Sequence, residues 1–312
     1  MRIGRVAART DTGRRRMRNQ DAYVCDPPLF AVADGMGGAQ AGELASRLAA
    51  AAIEERTRGA RGVEAVAALV REANARIYRR AAEDPAAAGM GTTATVVLVD
   101  EEDGTLAIGH VGDSRAYRLR DGALEQLTAD HSLVAELVRS GRLTEEEAAD
   151  HPHKSVITRA LGTDPDVDVD TLTVPIAPGD LYLVCSDGLT HMLSDGEVLA
   201  ILAEARGDPE RMAALLVDAA NRAGGEDNIT VIVFEAVEND AAGSDAAAAE
   251  PDDVTAESQP EPEAAPEPRG RAADVDAVRR HGAGSGGRVL ALAAVAVALG
   301  VAALLVYWGL GS

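Results

Sequence analysis

Five aspartates stand at the ends of short apolar runs, and no other feature of the 312-residue chain constrains its fold as strongly. They are Asp21, Asp34, Asp113, Asp187 and Asp227. Three runs of strand length, residues 29–33, 106–111 and 181–185, stop just before a carboxylate, and a fourth, residues 229–234, begins just after one. Buried strand ends within one sheet system share a rim, so we expect the carboxylates to converge. Hard divalent cations prefer such oxygen ligands.

Gly35 directly follows Asp34. A residue without a side chain lets the backbone come close to a ligand, so the Gly35 carbonyl is a candidate ligand. Asp-Gly is also a common turn pair, and at any single position a plain turn is the simpler interpretation. A plain turn does not account for all five aspartates.

The order of predicted elements indicates an α+β fold. Predicted strands cover residues 3–8, 22–33, 93–99, 106–111, 116–120, 123–127, 167–174, 181–185 and 229–234; predicted helices cover 42–58, 63–82, 195–205 and 209–222. Runs of strands joined by Asp-Gly turns favour antiparallel hairpins. Several strands are apolar on both faces, which predicts two stacked, mainly antiparallel sheets flanked by helices, a four-layer αββα sandwich.

Residues 130–157 differ from the surrounding strands. The pattern predicts a helix at 132–140, a break at Gly141 and a capping box from Thr144 to Glu147. We interpret this segment as a flap beside the carboxylate rim, where it could select substrates.

The composition changes after residue 237. We predict a folded domain at 1–237, a disordered acidic linker rich in Pro and Ala at 238–287, a transmembrane helix at 288–308 and a short extracytoplasmic tail at 309–312. Residues 289–308 contain no charge and no proline, and as a helix they would span roughly 30 Å. Arginines on the near side of this run predict a single-pass protein of the cell membrane whose large domain is cytoplasmic.

The formal net charge of −21 argues against nucleic acid as a partner, because phosphate backbones are bound by basic surfaces. Cys25 and Cys185 form no spaced pair and are expected to be small buried residues. Cys185 lacks the arginine six residues later that a cysteine-based phosphatase needs. No Gly-Lys-Ser/Thr sequence exists for a phosphate loop.

Two divalent ions bridged by carboxylates can activate a water for attack on phosphorus, and an arginine can hold the phosphoryl oxygens with its planar fork. Residues 13–21 offer four arginines, although an exposed basic arm would also explain them.

Seven motifs, in order, resemble the metal-dependent protein phosphatases, the type 2C serine/threonine phosphatases, and among them the bacterial members that oppose transmembrane serine/threonine kinases. The motifs are residues 16–21, 33–38 (ADGMGG), 91–93 (GTT), 109–117 (GHVGDSRAY), 127–131, 186–188 (SDG) and 226–228 (EDN).

The resemblance implies roles for individual residues, with Mn²⁺ or Mg²⁺ as the cofactor. Asp34 would bridge two metal ions, the Gly35 carbonyl would bind the second, and Asp187 and Asp227 would hold the first. Asp21 would act on the second ion, partly through water. Asp113 would bind a third, weaker ion with Ser155 of the flap nearby, and Arg16 would bind phosphate.

Two positions depart from the family pattern. Met36 stands where animal members have a histidine proposed as general acid; His151, His153 or a metal-bound water could take that role, and a simple turn would also explain the two histidines. Gln20 replaces a frequent glutamate, which we expect to loosen an outer contact only.

The resemblance implies hydrolysis of phosphoserine and phosphothreonine in proteins, with receptor-like serine/threonine kinases among the partners. A catalytically dead docking module and a phosphatase for small phosphoesters remain as alternatives.

Overall fold

The computed structural model describes residues 1–57, 59–149 and 151–238. The predicted transmembrane helix at 288–308, the tail at 309–312 and the predicted linker beyond residue 238 lie outside these residues. Among the helices that are described, none is long and apolar enough to cross a membrane.

The structure contains strands and helices in nearly the predicted order. The strands are β1 (Arg2–Asp11), β2 (Asp21–Asp26), β3 (Leu29–Met36), β4 (Gly91–Thr92), β5 (Ala94–Asp100), β6 (Thr105–Val111), β7 (Arg115–Arg120), β8 (Ala123–Gln126), β9 (Asp170–Pro175), β10 (Leu181–Cys185) and β11 (Ile229–Val237). The helices are α1 (Ala39–Glu55), α2 (Gly62–Glu83), α3 (Leu133–Arg139), α4 (Glu145–Ala149), α5 (Asp187–Thr190), α6 (Asp195–Glu204) and α7 (Pro209–Ala223).

The strands form two sheets, and every strand pairing within the described residues is antiparallel. One sheet has the order β1-β11-β10-β7-β8, and the other has the order β2-β3-β5-β6-β9, with β4 paired to β3. The predicted α+β class with two antiparallel sheets flanked by helices is confirmed.

Side-chain alternation along the strands explains why several of them are apolar on both faces. In β10, Tyr182 and Val184 enter the layer between the sheets, whereas Leu181 and Leu183 face the helices. The same alternation places Phe30 of β3 and Phe234 of β11 in the layer between the sheets. Each central strand therefore buries both of its faces.

The helices cover the two outer faces. Residues of α1 and α2 share an apolar cluster with β3 and β5, and residues of α6 and α7 share another with β10 and β11. Helix α6 begins with a capping box between Ser194 and Glu197, and α7 begins with Asp208 as its cap and Pro209 in its first turn. The layer order is helix, sheet, sheet, helix.

The structure differs from the sequence pattern at two strand ends. The run before Asp34 does not stop at the carboxylate, because β3 continues to Met36 by pairing Gly35 with Thr92 and Met36 with Gly91. After β10, Asp187 opens the one-turn helix α5, which the sequence pattern did not predict.

The predicted flap forms a segment closed at its base. A bridge joins Ser132 to Ile157, and the Leu133 N–H donates to the Val156 carbonyl. The capping box predicted between Thr144 and Glu147 is present, with bonds of 2.9 and 3.2 Å.

The aromatic contact between the sheets gives a test of the core. The rings of Phe30 and Phe234 stack with centroids 4.1 Å apart, and both side chains are buried. Phe234→Ala should lower the free energy of unfolding by about 3–5 kcal/mol, measured by urea denaturation. Leu172→Ala on the edge strand β9, where the side chain is 40% exposed, is the control and should cost less than about 1 kcal/mol. Equal effects would contradict this account of the core.

Candidate metal-dependent active site

The aspartates meet at one end of the layer between the sheets. Asp34 follows Phe30 and Val32 in alternation, so its side chain points into that layer. Asp21 lies directly opposite Asp34 in the β2–β3 pairing and therefore on the same face. The β2–β3 hairpin thus supplies two of the five predicted carboxylates.

The other sheet binds Asp21 through two hydroxyl groups. Ser186, just after β10, donates to Asp21 Oδ2 at 2.8 Å, and Thr230 of β11 donates to the same oxygen at 2.6 Å. Both donors stand in strand or strand-end positions of the opposite sheet, so Asp21 is held from across the layer. These bonds connect the two halves of the site.

Asp187 and Asp113 enter from two further strand ends. Asp187 opens α5 after β10, and His191, one helical turn later, lies with Nδ1 3.2 Å from Asp187 Oδ2. Asp113 follows β6 and is only 4% exposed. Burial, and then the charge of Asp187, raise the pKa of Asp113.

Asp227 holds the predicted phosphate-binding arginine. Its Oδ2 accepts from Arg16 Nη2 at 2.6 Å, and its Oδ1 accepts from the Asn228 backbone N–H at 2.8 Å. The Arg16 side chain remains 48% exposed beside the carboxylates. Its pKa is raised, first through the hydrogen bond to Asp227 and then through the charges of Asp227, Asp34 and Asp187, which outweigh its partial burial.

Burial dominates the acid–base behaviour of the cluster. It raises the pKa of Asp21 to about 7 and that of Asp113 to about 8, with neighbouring carboxylates adding to both. Burial, the charges of Asp21 and Asp187 and a hydrogen bond to Asp187 hold the pKa of Asp34 well above its usual range. Asp187 shows the opposite direction, because its contact with His191 outweighs burial and lowers its pKa.

Gly35 is required here by packing. A Cβ at Gly35 would lie 2.1 Å from the carbonyl oxygen of Gly42, so helix α1 can approach β3 only over a glycine. Gln20 is fixed nearby: its backbone N–H donates to Asn228 and its side chain donates to the Gly38 carbonyl at 2.9 Å. The prediction that the Gly35 carbonyl binds metal is a separate matter and stays a prediction.

The donor set fits divalent cations. One oxygen each of Asp21, Asp113 and Asp187 is buried without a hydrogen-bond partner among the described residues. Such an unpaired anionic oxygen is unfavourable unless a cation or a proton satisfies it. In the described ranges, no three His, Cys, Asp or Glu side chains surround a single cation position, and Arg16 is bound to Asp227.

The flap residues named from the sequence do not join the aspartates. Ser155 is exposed, and no hydrogen bond connects it with Asp113 in the described part of the chain. His151 and His153 contact each other, with ring centroids 5.6 Å apart. The neighbouring Lys154 instead lines a groove of about 610 Å³ that also reaches Asp113 and Asp187.

His131 connects the base of the flap to the Asp113 loop. The Gly112 N–H donates to His131 Nδ1 at 3.0 Å, and the His131 N–H donates back to the Gly112 carbonyl at 2.8 Å. The His131 carbonyl accepts from Thr158 at the far end of the flap. These bonds connect both ends of the flap to Gly112, the residue before Asp113.

Sequence reasoning missed His191, Ser186 and Thr230 as parts of the site. His191 follows Asp187 by four residues, which is the spacing of neighbours on a helix, but α5 had not been predicted. Burial lowers the pKa of His191, yet its hydrogen bond to Asp187 and the charges of Asp187 and Asp113 raise it overall. The alternation of β11 could have indicated Thr230.

The raised carboxyl pKa values predict how stability depends on pH. In the unfolded chain the pKa of an aspartate is about 3.9. The stabilising contribution of a protonated Asp21 or Asp113 is therefore complete below that pH, and it is lost as the pH rises through the folded-state pKa values of about 7 and about 8. The metal-free protein should therefore melt at a lower temperature at about pH 8 than at about pH 5.5.

Mn²⁺ should raise the melting temperature more at the higher pH, because deprotonated carboxylates of the folded state bind it. Thermal unfolding with EDTA and with Mn²⁺ measures both effects, and Asp113→Asn should weaken the pH dependence. A melting temperature that rises with pH in EDTA would contradict the assignment.

Comparison with known proteins identifies the family. The family model for protein phosphatase 2C matches residues 11–220. The serine/threonine protein phosphatase PstP of Mycobacterium tuberculosis is 44% identical over 242 residues, which are 76% of this chain and 46% of that protein. The chain thus spans about half the length of this relative. The serine/threonine phosphatase stp of Listeria monocytogenes is 40% identical over 239 residues, covering 73% of this chain and 94% of that protein.

A solved structure shows the same architecture. The catalytic domain of PstP in complex with two manganese ions matches with a TM-score of 0.70 and 39% identity, over 76% of this chain and 99% of that one. The carboxylates clustered in this chain are suitable ligands for ions of that kind. The chain belongs to the protein phosphatase 2C family.

Proposed function

We propose that the protein is a metal-dependent serine/threonine phosphatase that hydrolyses phosphoserine and phosphothreonine in proteins. The observation that carries the proposal is the set of five interacting carboxylates at the open end of the inter-sheet layer, with the exposed guanidinium of Arg16 beside them. Carboxylates that bind cations and an arginine that binds an anion are together the two parts that phosphoryl transfer to water requires.

Mn²⁺ or Mg²⁺ is the proposed cofactor, held by Asp34, Asp187 and Asp227, with Asp21 and Gly35 for a second ion and Asp113 for a weaker one. Bound there, the ions would activate water and neutralise charge on the phosphoryl group.

The protein's own groups orient these ligands and the substrate. Ser186 and Thr230 fix Asp21, and His191 fixes Asp187. Arg16 can exchange its contact with Asp227 for two phosphoryl oxygens, since its fork suits both anions. Substrate entry is favoured at this arginine because its side chain is half exposed while the carboxylates are more deeply placed.

Phosphate release from a phosphothreonine peptide tests the proposal. The purified protein should release phosphate with Mn²⁺, should release almost none with EDTA, and should act far less on a matched phosphotyrosine peptide. Asp34→Asn and Asp187→Asn should each lower kcat/KM by more than about 100-fold, because loss of a ligand exceeds the effect typical of outer residues.

Asp103→Asn, on the exposed turn between β5 and β6, is the matched control and should leave the rate unchanged. Mn²⁺ binding without turnover would favour the docking module. Turnover retained by either site variant would reject the assigned residues.

We further propose that residues 288–308 tether the enzyme to the cell membrane with its catalytic domain in the cytoplasm. The absence of charge from residues 289–308 and the arginines before them support this proposal. A tether would favour substrates at the membrane, and receptor-like serine/threonine kinases are the proposed partners.

Fractionation of cells that produce the protein tests the tether. The full chain should stay with membranes after washing at high salt and alkaline pH, and a chain ending at residue 287 should be released. Release of the full chain by the alkaline wash would contradict a membrane-spanning segment.

A further inference from the structure

The loop of residues 13–19, here called the arginine loop, is held firmly at its base. The Arg14 and Arg15 N–H groups donate to the Gly225 carbonyl at 2.6 and 3.2 Å. Asn228 Nδ2 donates to the Thr12 and Arg18 carbonyls at 2.9 and 3.0 Å. Gly13 adopts φ +78°, and a Cβ there would lie 2.1 Å from the Asp227 carbonyl oxygen. The loop backbone is therefore fixed against the segment that carries Asp227.

The side chains of this loop point outward. Residues 14–18 are all exposed, and Met17 is 99% exposed. Arg16 contacts Asp227, and Arg18 lies 3.5 Å from Glu43. Arg14 and Arg15 make no side-chain hydrogen bond or ion pair with any residue in the ranges 1–57, 59–149 and 151–238.

The side chains of Arg14, Arg15 and Met17 contribute little to the fold, because they are exposed. Arginines close in sequence repel one another, and a methionine that stays exposed buries no apolar surface on folding. Neutralising the site does not explain Arg14 and Arg15 either, because Arg16 alone among the three makes the contact with its carboxylates. A hydrogen-bonded backbone that presents two arginines without a partner in the described ranges, and an exposed methionine, next to a substrate site is suited to binding a ligand.

We propose that the arginine loop selects substrates in which acidic residues flank the phosphorylated serine or threonine, with Arg14 and Arg15 binding the carboxylates and Met17 contacting a neighbouring apolar side chain. The inference rests on the proposed phosphatase function. Arginine suits this task because its fork binds a carboxylate through two parallel hydrogen bonds. The chain as a whole is acidic, with a net charge of −21, so a basic loop beside the site would attract acidic peptides that a surface of net negative charge repels.

The position of the loop also separates it from the flap groove. The groove reaches Asp113 and Asp187, whereas the arginine loop is attached at Asp227. A peptide whose phosphate lies at Arg16 would therefore meet the loop with the residues on one side of the phosphorylated residue. Acidic residues on that side of the phosphorylated residue should raise kcat/KM more than acidic residues on the other side.

The test compares phosphothreonine peptides of equal length with acidic residues before the phosphothreonine, acidic residues after it, or only neutral residues. The full chain should show a higher kcat/KM for one of the acidic peptides than for the neutral one. Arg14→Gln combined with Arg15→Gln should lower that ratio about 5-fold, as expected for two exposed ion pairs, and mainly through KM. High salt should lower the ratio in the same way.

Arg71→Gln combined with Arg79→Gln on helix α2 is the matched control, since it removes the same charge from exposed positions elsewhere and should leave the ratio unchanged. An unchanged ratio in the loop variant, or an equal loss in both variants, would overturn the proposal. Binding to vesicles that contain anionic lipid is measured for the same variants. A loop variant that loses vesicle binding but keeps its peptide ratio would assign the loop to an anionic lipid surface and would also overturn the proposal.

Fluorescence anisotropy of the same peptides distinguishes this failure from failure of the proposed function. Binding preference for the acidic peptide can be measured whether or not phosphate is released. A protein without turnover that still prefers the acidic peptide would refute the phosphatase function and keep the assignment of the loop. Turnover without any preference for the acidic peptide would support the phosphatase function and refute the assignment of the loop.

Discussion

Five carboxylates share one end of the layer between the two sheets, and the packing of that layer has to withstand their mutual repulsion. Burial raises the pKa of Asp21, Asp34 and Asp113, and the charges of neighbouring carboxylates add to each of these three shifts. Among the residues that the structure describes, Arg16 and His191 are the two that offset this charge through ion pairs, with Asp227 and Asp187. The aromatic and branched residues deeper in the same layer supply the compensating burial, so stability and the site are linked through one set of strands.

The alternation of side chains explains how the core and the site use the same strands. In β3, Phe30 and Val32 pack between the sheets and Asp34 is the next residue on that face. In β11, Thr230 precedes Ile232 and Phe234 on the corresponding face. The layer is apolar in its middle and polar at one end, because the side chains on its face of each strand change from apolar to polar within two residues. A slip of one residue in register would turn these polar groups towards the helices.

The sequence was sufficient for the sheets, the longer helices and the list of aspartates, because strand length, apolar runs and Asp-Gly turns are local signals. It was insufficient where a contact between distant segments decides the outcome. Met36 belongs to β3 only because Gly91 pairs with it, and Gly35 is required by the approach of Gly42. His191 joins the site only because α5 forms, and a single helical turn leaves almost no periodicity to detect.

Asn228 shows how the parts of the site are joined. Its Oδ1 accepts from the Gln20 N–H, and its Nδ2 donates to the Thr12 and Arg18 carbonyls. An aspartate could not make the two donor contacts, since a carboxylate only accepts, which explains an amide directly after the predicted ligand Asp227. One side chain thereby holds both the start of the β2 carboxylate strand and the base of the arginine loop. The position of the loop relative to the carboxylates is consequently fixed by the same bonds that build the site, and a substrate bound to one must be aligned with the other.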